Sequence, residues 1–113
     1  MYIVNVTDIV NVTAAHIHSG QVGENGPVVV TLFRGEDAPT TTAAAMMIGE
    51  VLLSEGNITA TNLAGPMAGK SLSNLTSAMC NEQTYVNIHT QQNPYGEIRG
   101  QILNGTNTMM VVQ

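Results

Sequence analysis

The sequence predicts an all-β protein, a Greek-key or immunoglobulin-like β-sandwich of about seven short strands with one short helix. Segments rich in β-branched residues recur along the chain, and clusters of turn-forming residues separate them. The length of 113 residues suits a single domain with one core. We expect that domain to span residues 1–103 and residues 104–113 to form a C-terminal extension.

The first strands lie in a repeat, because Ile-Val-Asn-Val-Thr occupies residues 3–7 and again residues 9–13. It predicts a strand, a short break at Asp8 and a second strand that continues into the histidines at 16 and 18. Turn-forming residues are dense over 21–26, and the apolar run at 28–33 predicts a buried strand.

The middle of the chain predicts one strand, one short strand and one helix. Composition allows a helix at the start of residues 43–53, but Gly49 and the aliphatic residues after it favour a strand over the second half. A turn at 55–57 and a short strand at 58–61 follow. The apolar spacing beyond them predicts a loop and a helix of about ten residues, with Ser71 or Ser73 as its N-cap.

The clearest hairpin comes near the end. Residues 84–90 alternate as a strand, Asn93-Pro94-Tyr95-Gly96 predicts a turn, and residues 97–103 predict the returning strand. Ile98 and Ile102 are expected to face the core. Residues 108–112 are β-branched and Met-rich, and they could form a last strand.

All three histidines fall in two of these strands. Alternation places His16 and His18 on one face of their strand, opposite Ile17. His89 shares a face with Tyr85 and Asn87, opposite Val86 and Ile88. If the aliphatic residues face the core, the histidines face outward. If the two strands are close, three imidazoles form a partial metal site suited to copper, with zinc as the alternative. The alternative for each histidine alone is a hydrogen-bonded structural residue.

Two charged residues of the last hairpin strand belong to the same face by this alternation. Glu97 and Arg99 are candidates for groups that support the metal ligands, the Glu97 carboxylate orienting an imidazole N–H. The alternative is an ordinary cross-strand ion pair on a solvated face.

Charge and composition exclude some classes of protein and favour others. With a net charge of -5 and three Lys and Arg residues, the chain has no basic cluster for nucleic acid. No apolar run is long enough to span a membrane, and no signal peptide is visible, so an exported form would be a trimmed chain. Cys80 stands alone; burial is the expectation, with pairing between subunits or metal ligation as alternatives.

Five Asn-x-Thr sequons give the low-charge surface a possible source of polarity. Either a Thr-rich and Asn-rich β protein carries them by accident, or the chain is a secreted, glycan-coated protein from an archaeon or a eukaryote. The acceptor residues would be Asn5, Asn11, Asn57, Asn74 and Asn104.

Four motifs resemble the CHRD domain, a β-rich module named after chordin and widespread in secreted microbial proteins. They are Ala15-His16-Ile17-His18, Asn25-Gly26-Pro27-Val28-Val29, Tyr85-Val86-Asn87-Ile88-His89-Thr90 and the segment from Asn93 to Ile102. The resemblance runs from Tyr2 to Leu103. It implies a β fold and an extracellular or cell-surface location, with metal binding as a suggestion.

The sequence departs from that family at both ends. Family members usually carry a further stretch of about thirty residues, typically a strand or two, before the strand that begins here at Tyr2. A sandwich that lacks an edge strand can accept one from another chain. The extension at 108–112 has the composition of such a donated strand, so we expect either head-to-tail donation into a filament or pairing of the tail with its own sheet.

These observations predict a secreted, glycosylated, copper-binding structural module that assembles into a filament or surface layer. The first alternative is a copper-dependent redox enzyme with a superoxide dismutase-like activity, by analogy with the His-x-His ligand pattern of that Greek-key protein. No nucleophile–base pair or carboxylate dyad supports an enzyme. The second alternative is an adhesion module without metal.

Overall fold

A computed structural model of the chain describes residues 2–34 and 46–103. They form six strands, one α-helix and two short 3-10 turns, the latter at Ala60–Asn62 and Gly65–Met67. In chain order the main elements are β1 Tyr2–Val10, β2 Val12–Ser19, β3 Val28–Arg34, β4 Met46–Gly56, α1 Leu72–Cys80, β5 Thr84–Thr90 and β6 Ile98–Gln101.

The described strands form two antiparallel sheets that share one core. One sheet pairs β1 with β4, and the other has the strand order β3-β2-β5-β6. Buried aliphatic residues of β1 pack in the same cluster as those of the larger sheet. The predicted fold class, an all-β sandwich with one helix, is confirmed.

Alternation along the strands places the core as the sequence predicts. Ile17, Val86 and Ile88 are at most 1% exposed, and Ile98 and Ile102 are also buried. Burying one such side chain contributes about 1.5–3 kcal/mol, so this face fixes the register of the sheet. The opposite face of β2 and β5 is left for the histidines.

The predicted strand break at Asp8 is wrong. Strand β1 continues to Val10, and Asp8 lies in a register shift within it, at a φ of 50°. The chain leaves the strand at Asn11, where φ is 57°. Asp and Asn tolerate this left-handed conformation better than β-branched residues, so the first of the two makes a bulge and the second makes the turn.

Around the helix, one prediction is confirmed and two are wrong. Ser71 is the N-cap of α1. The turn predicted at 55–57 begins later than expected, because β4 extends to Gly56. The strand predicted at 58–61 is absent from the described structure, because Thr59 begins a 3-10 turn and its N–H donates to Oδ1 of Asn62 over 2.8 Å.

Some expectations lie outside the described residues. They concern the last strand at 108–112, the sequon at Asn104 and the proposed extension at 104–113. Cys80 was expected to be buried and is instead exposed at the end of α1. No helix among the described residues is long and apolar enough to cross a membrane.

Candidate metal centre

Three rows of paired residues cross the larger sheet and place the histidines on one face. In the central row His16 of β2 pairs with Asn87 of β5. In the rows on either side, His18 pairs with Tyr85 and Ala14 pairs with His89. Paired residues on neighbouring strands point to the same side of a sheet, so His16, His18 and His89 share a face.

The three imidazoles lie in contact with one another. Ring centroids are 5.0 Å apart for His16 and His89, 5.7 Å for His16 and His18, and 6.0 Å for His18 and His89. One nitrogen from each ring lies within 4.8 Å of the other two. Because metal–imidazole bonds are about 2.0–2.1 Å long, small ring rotations would bring these nitrogens onto one ion.

Each ring also has a buried nitrogen without a hydrogen-bond partner. These atoms are Nδ1 of His16, Nε2 of His18 and Nε2 of His89. A buried polar atom left without a partner costs about 1–3 kcal/mol, and three of them in one cluster are unusual in a folded protein. A cation bound among them would satisfy all three lone pairs.

Backbone carbonyl groups fix two of the rings. Nδ1 of His18 lies 2.8 Å from the Gly26 oxygen, and Nδ1 of His89 lies 2.9 Å from the Pro94 oxygen. A carbonyl only accepts, so each Nδ1 must carry the proton and each Nε2 holds the lone pair. This is the arrangement in which metal-binding histidines are held by a neighbouring carbonyl.

The loop at residues 20–27 covers the His18 side of the cluster. Tyr85 stacks on His18 with ring centroids 4.9 Å apart, and its hydroxyl accepts a hydrogen bond from the Gly26 N–H over 3.0 Å. Arg99 lies over the Tyr85 ring, with Cζ 3.5 Å from the centroid. Arg99 also donates to the Gln21 carbonyl and to Oδ1 of Asn25.

The turn at residues 91–97 closes the His89 side. Oε1 of Glu97 accepts hydrogen bonds from Asn93 over 2.7 Å and from Gln92 over 3.1 Å. Asn87 donates to the Tyr95 carbonyl over 3.4 Å. These bonds hold the turn whose Pro94 carbonyl orients His89.

Burial keeps the first two imidazoles neutral. It lowers the pKa of His16 to about 4, and the neighbouring His89, His18 and Arg34 act in the same direction. Burial also lowers the pKa of His18, assisted by His89 and Arg99 and opposed by the hydrogen bond to Gly26. Neutral rings at neutral pH have lone pairs available for a metal.

The structure brings the three predicted histidines together but covers them more than the sequence indicates. They were expected to face outward; His18 is only 9% exposed, because the loop at 20–27 folds over it. Glu97 was expected to orient an imidazole directly, whereas its carboxylate accepts hydrogen bonds from Thr90, Gln92 and Asn93. Arg99 reaches the cluster through Tyr85.

Sequence reasoning missed the groups that hold the rings. The two orienting groups are backbone carbonyls, and no side-chain pattern identifies a carbonyl. The turn-forming residues beside Gly26 and Pro94 were the available signal, since each cluster directly follows a histidine-bearing strand or lies within a few residues of it. Tyr85 and Asn87 were placed on the correct face without a role.

The other candidate positions lie apart from this cluster. Asn57 and Asn74 are exposed, while Asn5 and Asn11 are half-buried. Oδ1 of Asn74 accepts a hydrogen bond from the Ser71 backbone at the start of α1. Cys80 does not belong to the histidine cluster, which is the one group of metal-ligating side chains found among the described residues.

The fold and the histidine face together define a β-sandwich with a candidate transition-metal centre on one sheet. The family model of the CHRD domain matches residues 1–102, and the chain therefore belongs to the CHRD domain family. Domains of this family occur in extracellular or secreted proteins. No curated protein and no solved structure is similar enough to give a match.

Proposed function

We propose that this CHRD domain binds a transition-metal ion, copper ahead of zinc, through His16, His18 and His89. The proposal rests on one cluster of three imidazoles, in which one nitrogen of each ring lies within 4.8 Å of the other two and each ring has a buried nitrogen without a partner. Imidazole suits both ions, and copper precedes zinc in the affinity order of divalent metals. Bound, the ion would be a structural or stored metal, with access to redox chemistry if it is copper.

Metal analysis tests this proposal. Protein purified without chelator, or loaded with copper and dialysed, should hold one equivalent of metal. A His16→Ala/His18→Ala double variant should lose it. Cys80→Ser is the matched control, because it removes an exposed soft ligand from outside the cluster and should leave the stoichiometry unchanged. An unaltered metal content in the double variant would return the histidines to a structural role.

Each of the two alternative functions predicts a different experimental result. A superoxide dismutase-like enzyme would turn over superoxide when loaded with copper, and His89→Ala would abolish the activity. An adhesion module without metal would show the same melting temperature with and without added copper or zinc. The partly covered rings and the lone pairs fixed by carbonyls favour neither alternative over simple binding.

Assembly into a filament or surface layer is a second proposal, with its own support. Among the described residues β1 and β4 pair only with each other, so each has an edge with no partner strand there. Such edges accept an added strand. We expect the intact chain to form assemblies that a chain ending at Leu103 does not, as measured by light scattering. A monodisperse monomer in both cases would exclude strand donation.

Secretion and glycosylation complete the proposal. The family's occurrence in extracellular proteins supports export, and the exposure of Asn57 and Asn74 makes these two sequons accessible to a glycosyltransferase. Intact mass measurement of the protein isolated from its own organism tests this, because each occupied sequon adds the mass of a glycan. Unmodified asparagines at both positions would contradict the proposed glycosylation.

A further inference from the structure

Cationic side chains border the histidine cluster on two sides. The chain has three Lys and Arg residues against eight Asp and Glu residues. Two of the three lie on the histidine face, as the strand register places them. Arg34 pairs with Ala14, which pairs with His89, and Arg99 pairs with Asn87, which pairs with His16. The third, Lys70, lies in the bend before α1 and belongs to no strand of this sheet.

Among the residues that the structure describes, no carboxylate belongs to the histidine cluster. The metal-ligating group among the described residues consists of histidines alone, which are neutral ligands. The two nearby carboxylates are held in turns: Oε1 of Glu24 accepts from the Gln21 N–H, and Oε1 of Glu97 accepts from Asn93. A divalent ion on three neutral imidazoles would therefore add uncompensated positive charge to a half-buried site.

The two arginines differ in what they are available to do. Arg99 is committed to the loop at 20–27 through two hydrogen bonds and to the face of Tyr85. Arg34 is exposed at the end of β3, and no hydrogen bond or ion pair joins its guanidinium to another of the described residues. The strand register places Arg34 across Ala14 from His89.

We propose that the metal centre takes a small monovalent anion from solution as a further ligand, and that Arg34 attracts it. This inference rests on the metal binding proposed above. The anion would supply the negative charge that the protein ligands lack, and it would approach past the exposed side chain of Arg34. The centre would thus bind anionic small molecules in preference to neutral or cationic ones, whatever the role of the metal.

Azide binding to the copper(II)-loaded protein tests the proposal. Azide is added at fixed ionic strength while its charge-transfer absorption on copper and the copper(II) electron paramagnetic resonance spectrum are recorded. We expect azide to bind, and Arg34→Gln to raise its Kd by about three- to tenfold. Lys70→Gln removes the same charge from a residue outside the sheet and should change the Kd by less than about twofold. Arg34→Lys keeps the charge and should retain most of the affinity.

The outcomes separate this proposal from the metal proposal. Copper content is measured first for every variant, and each should hold the wild-type amount because none of the changed residues is a ligand. Histidine-dependent copper binding without azide binding, or with equal azide affinity in Arg34→Gln, would overturn the anion site and leave the metal site standing. Absence of histidine-dependent copper binding would overturn both.

Discussion

The loop at residues 20–27 and the turn at residues 91–97 do the same task by different means. Each supplies one backbone carbonyl that orients one histidine. The loop is held from far along the chain: Arg99 binds Gln21 across 78 residues, and Gln101 binds Gly20 across 81. The turn is held by its neighbours, because Glu97 binds Asn93 only 4 residues away.

This difference shows what each histidine depends on. The ring of His89 is oriented by a segment that contains its own supports, so it needs little beyond a formed hairpin. The ring of His18 is oriented by a loop that β5 and β6 must hold in place. Substitutions in β6 that release the loop should therefore disturb His18 more than His89.

The largest contrast is expected from two glycine substitutions, one in each segment. A Cβ at Gly26 would collide with the Ser19 carbonyl oxygen, which is backbone and cannot rotate away. We expect Gly26→Ala to lower the free energy of unfolding by about 3 kcal/mol or more. In Gly96→Ala the new Cβ would collide with the Asn87 side chain, and the φ of +130° strains any residue other than glycine. We expect the free energy of unfolding to fall by about 1–3 kcal/mol. Urea denaturation measures both, and a larger loss for Gly96→Ala would contradict the comparison.

A smaller effect is expected when Arg99 is replaced. Arg99→Gln removes both bonds to the loop and the cation over Tyr85, so the ring of His18 loses its fixed orientation. Loss of such supporting groups typically costs about 10–100-fold in metal affinity, and chelator competition would measure it. Lys70→Gln is the control for lost charge. Equal copper affinities in the two variants would mean that Arg99 does not position His18 through the loop.

His16 has no carbonyl partner among the described contacts, and pH isolates its contribution. The folded protein holds the pKa of this ring at about 4, against an ordinary value of 6.5. Below pH 6.5 the unfolded chain therefore binds more protons, and the stability of the metal-free protein falls as the pH drops towards 4. Above pH 6.5 the contribution of His16 to the stability no longer changes with pH.

Solvent screens a half-buried ring, so the loss should be about 1–2 kcal/mol. Urea denaturation of metal-free protein across this range measures it, and His16→Gln should show a shallower fall. Carboxylates titrate in both proteins and cancel in the comparison. Parallel profiles would mean that His16 is protonated as readily in the folded state as in the unfolded chain.

The smallest effect is expected in the turn at 91–97. Glu97→Gln keeps an acceptor for Asn93 but removes the charge that strengthens the bond, a loss of about 0.5–1 kcal/mol. Copper affinity should change by less than about tenfold, measured by the same chelator competition as for Arg99→Gln. An effect as large as that of Arg99→Gln would mean that the two segments are held by comparable forces.

Much of the fold could be predicted because strand alternation is a strong signal. Ile17, Val86 and Ile88 lie where their period of two places them, and the histidines take the other face of the same strands. The helix was predictable from its cap, because Ser71 carries both the hydroxyl and the spacing that a helix start requires.

The errors arose where backbone conformation overrides side-chain pattern. Asp8 interrupts a repeat and was expected to end a strand, but a register shift absorbs it. Ile58 and its β-branched neighbours resemble a strand, yet the bond from Thr59 to Asn62 closes a 3-10 turn. The covering of the histidines by residues 20–27 depends on Arg99 and Gln101, and contacts over such distances leave no local pattern.

The hydrogen bonds from β6 to the loop at 20–27 also imply an order in which the histidine cluster can form. Arg99 and Gln101 belong to the last described strand, yet they fasten the segment that directly follows the first two histidines. A ribosome releases β2 long before β6. A nascent or partly unfolded chain can expose the His-x-His pair, but it cannot yet orient His18 against Gly26. High-affinity metal capture would then mark a domain whose synthesis and folding are complete.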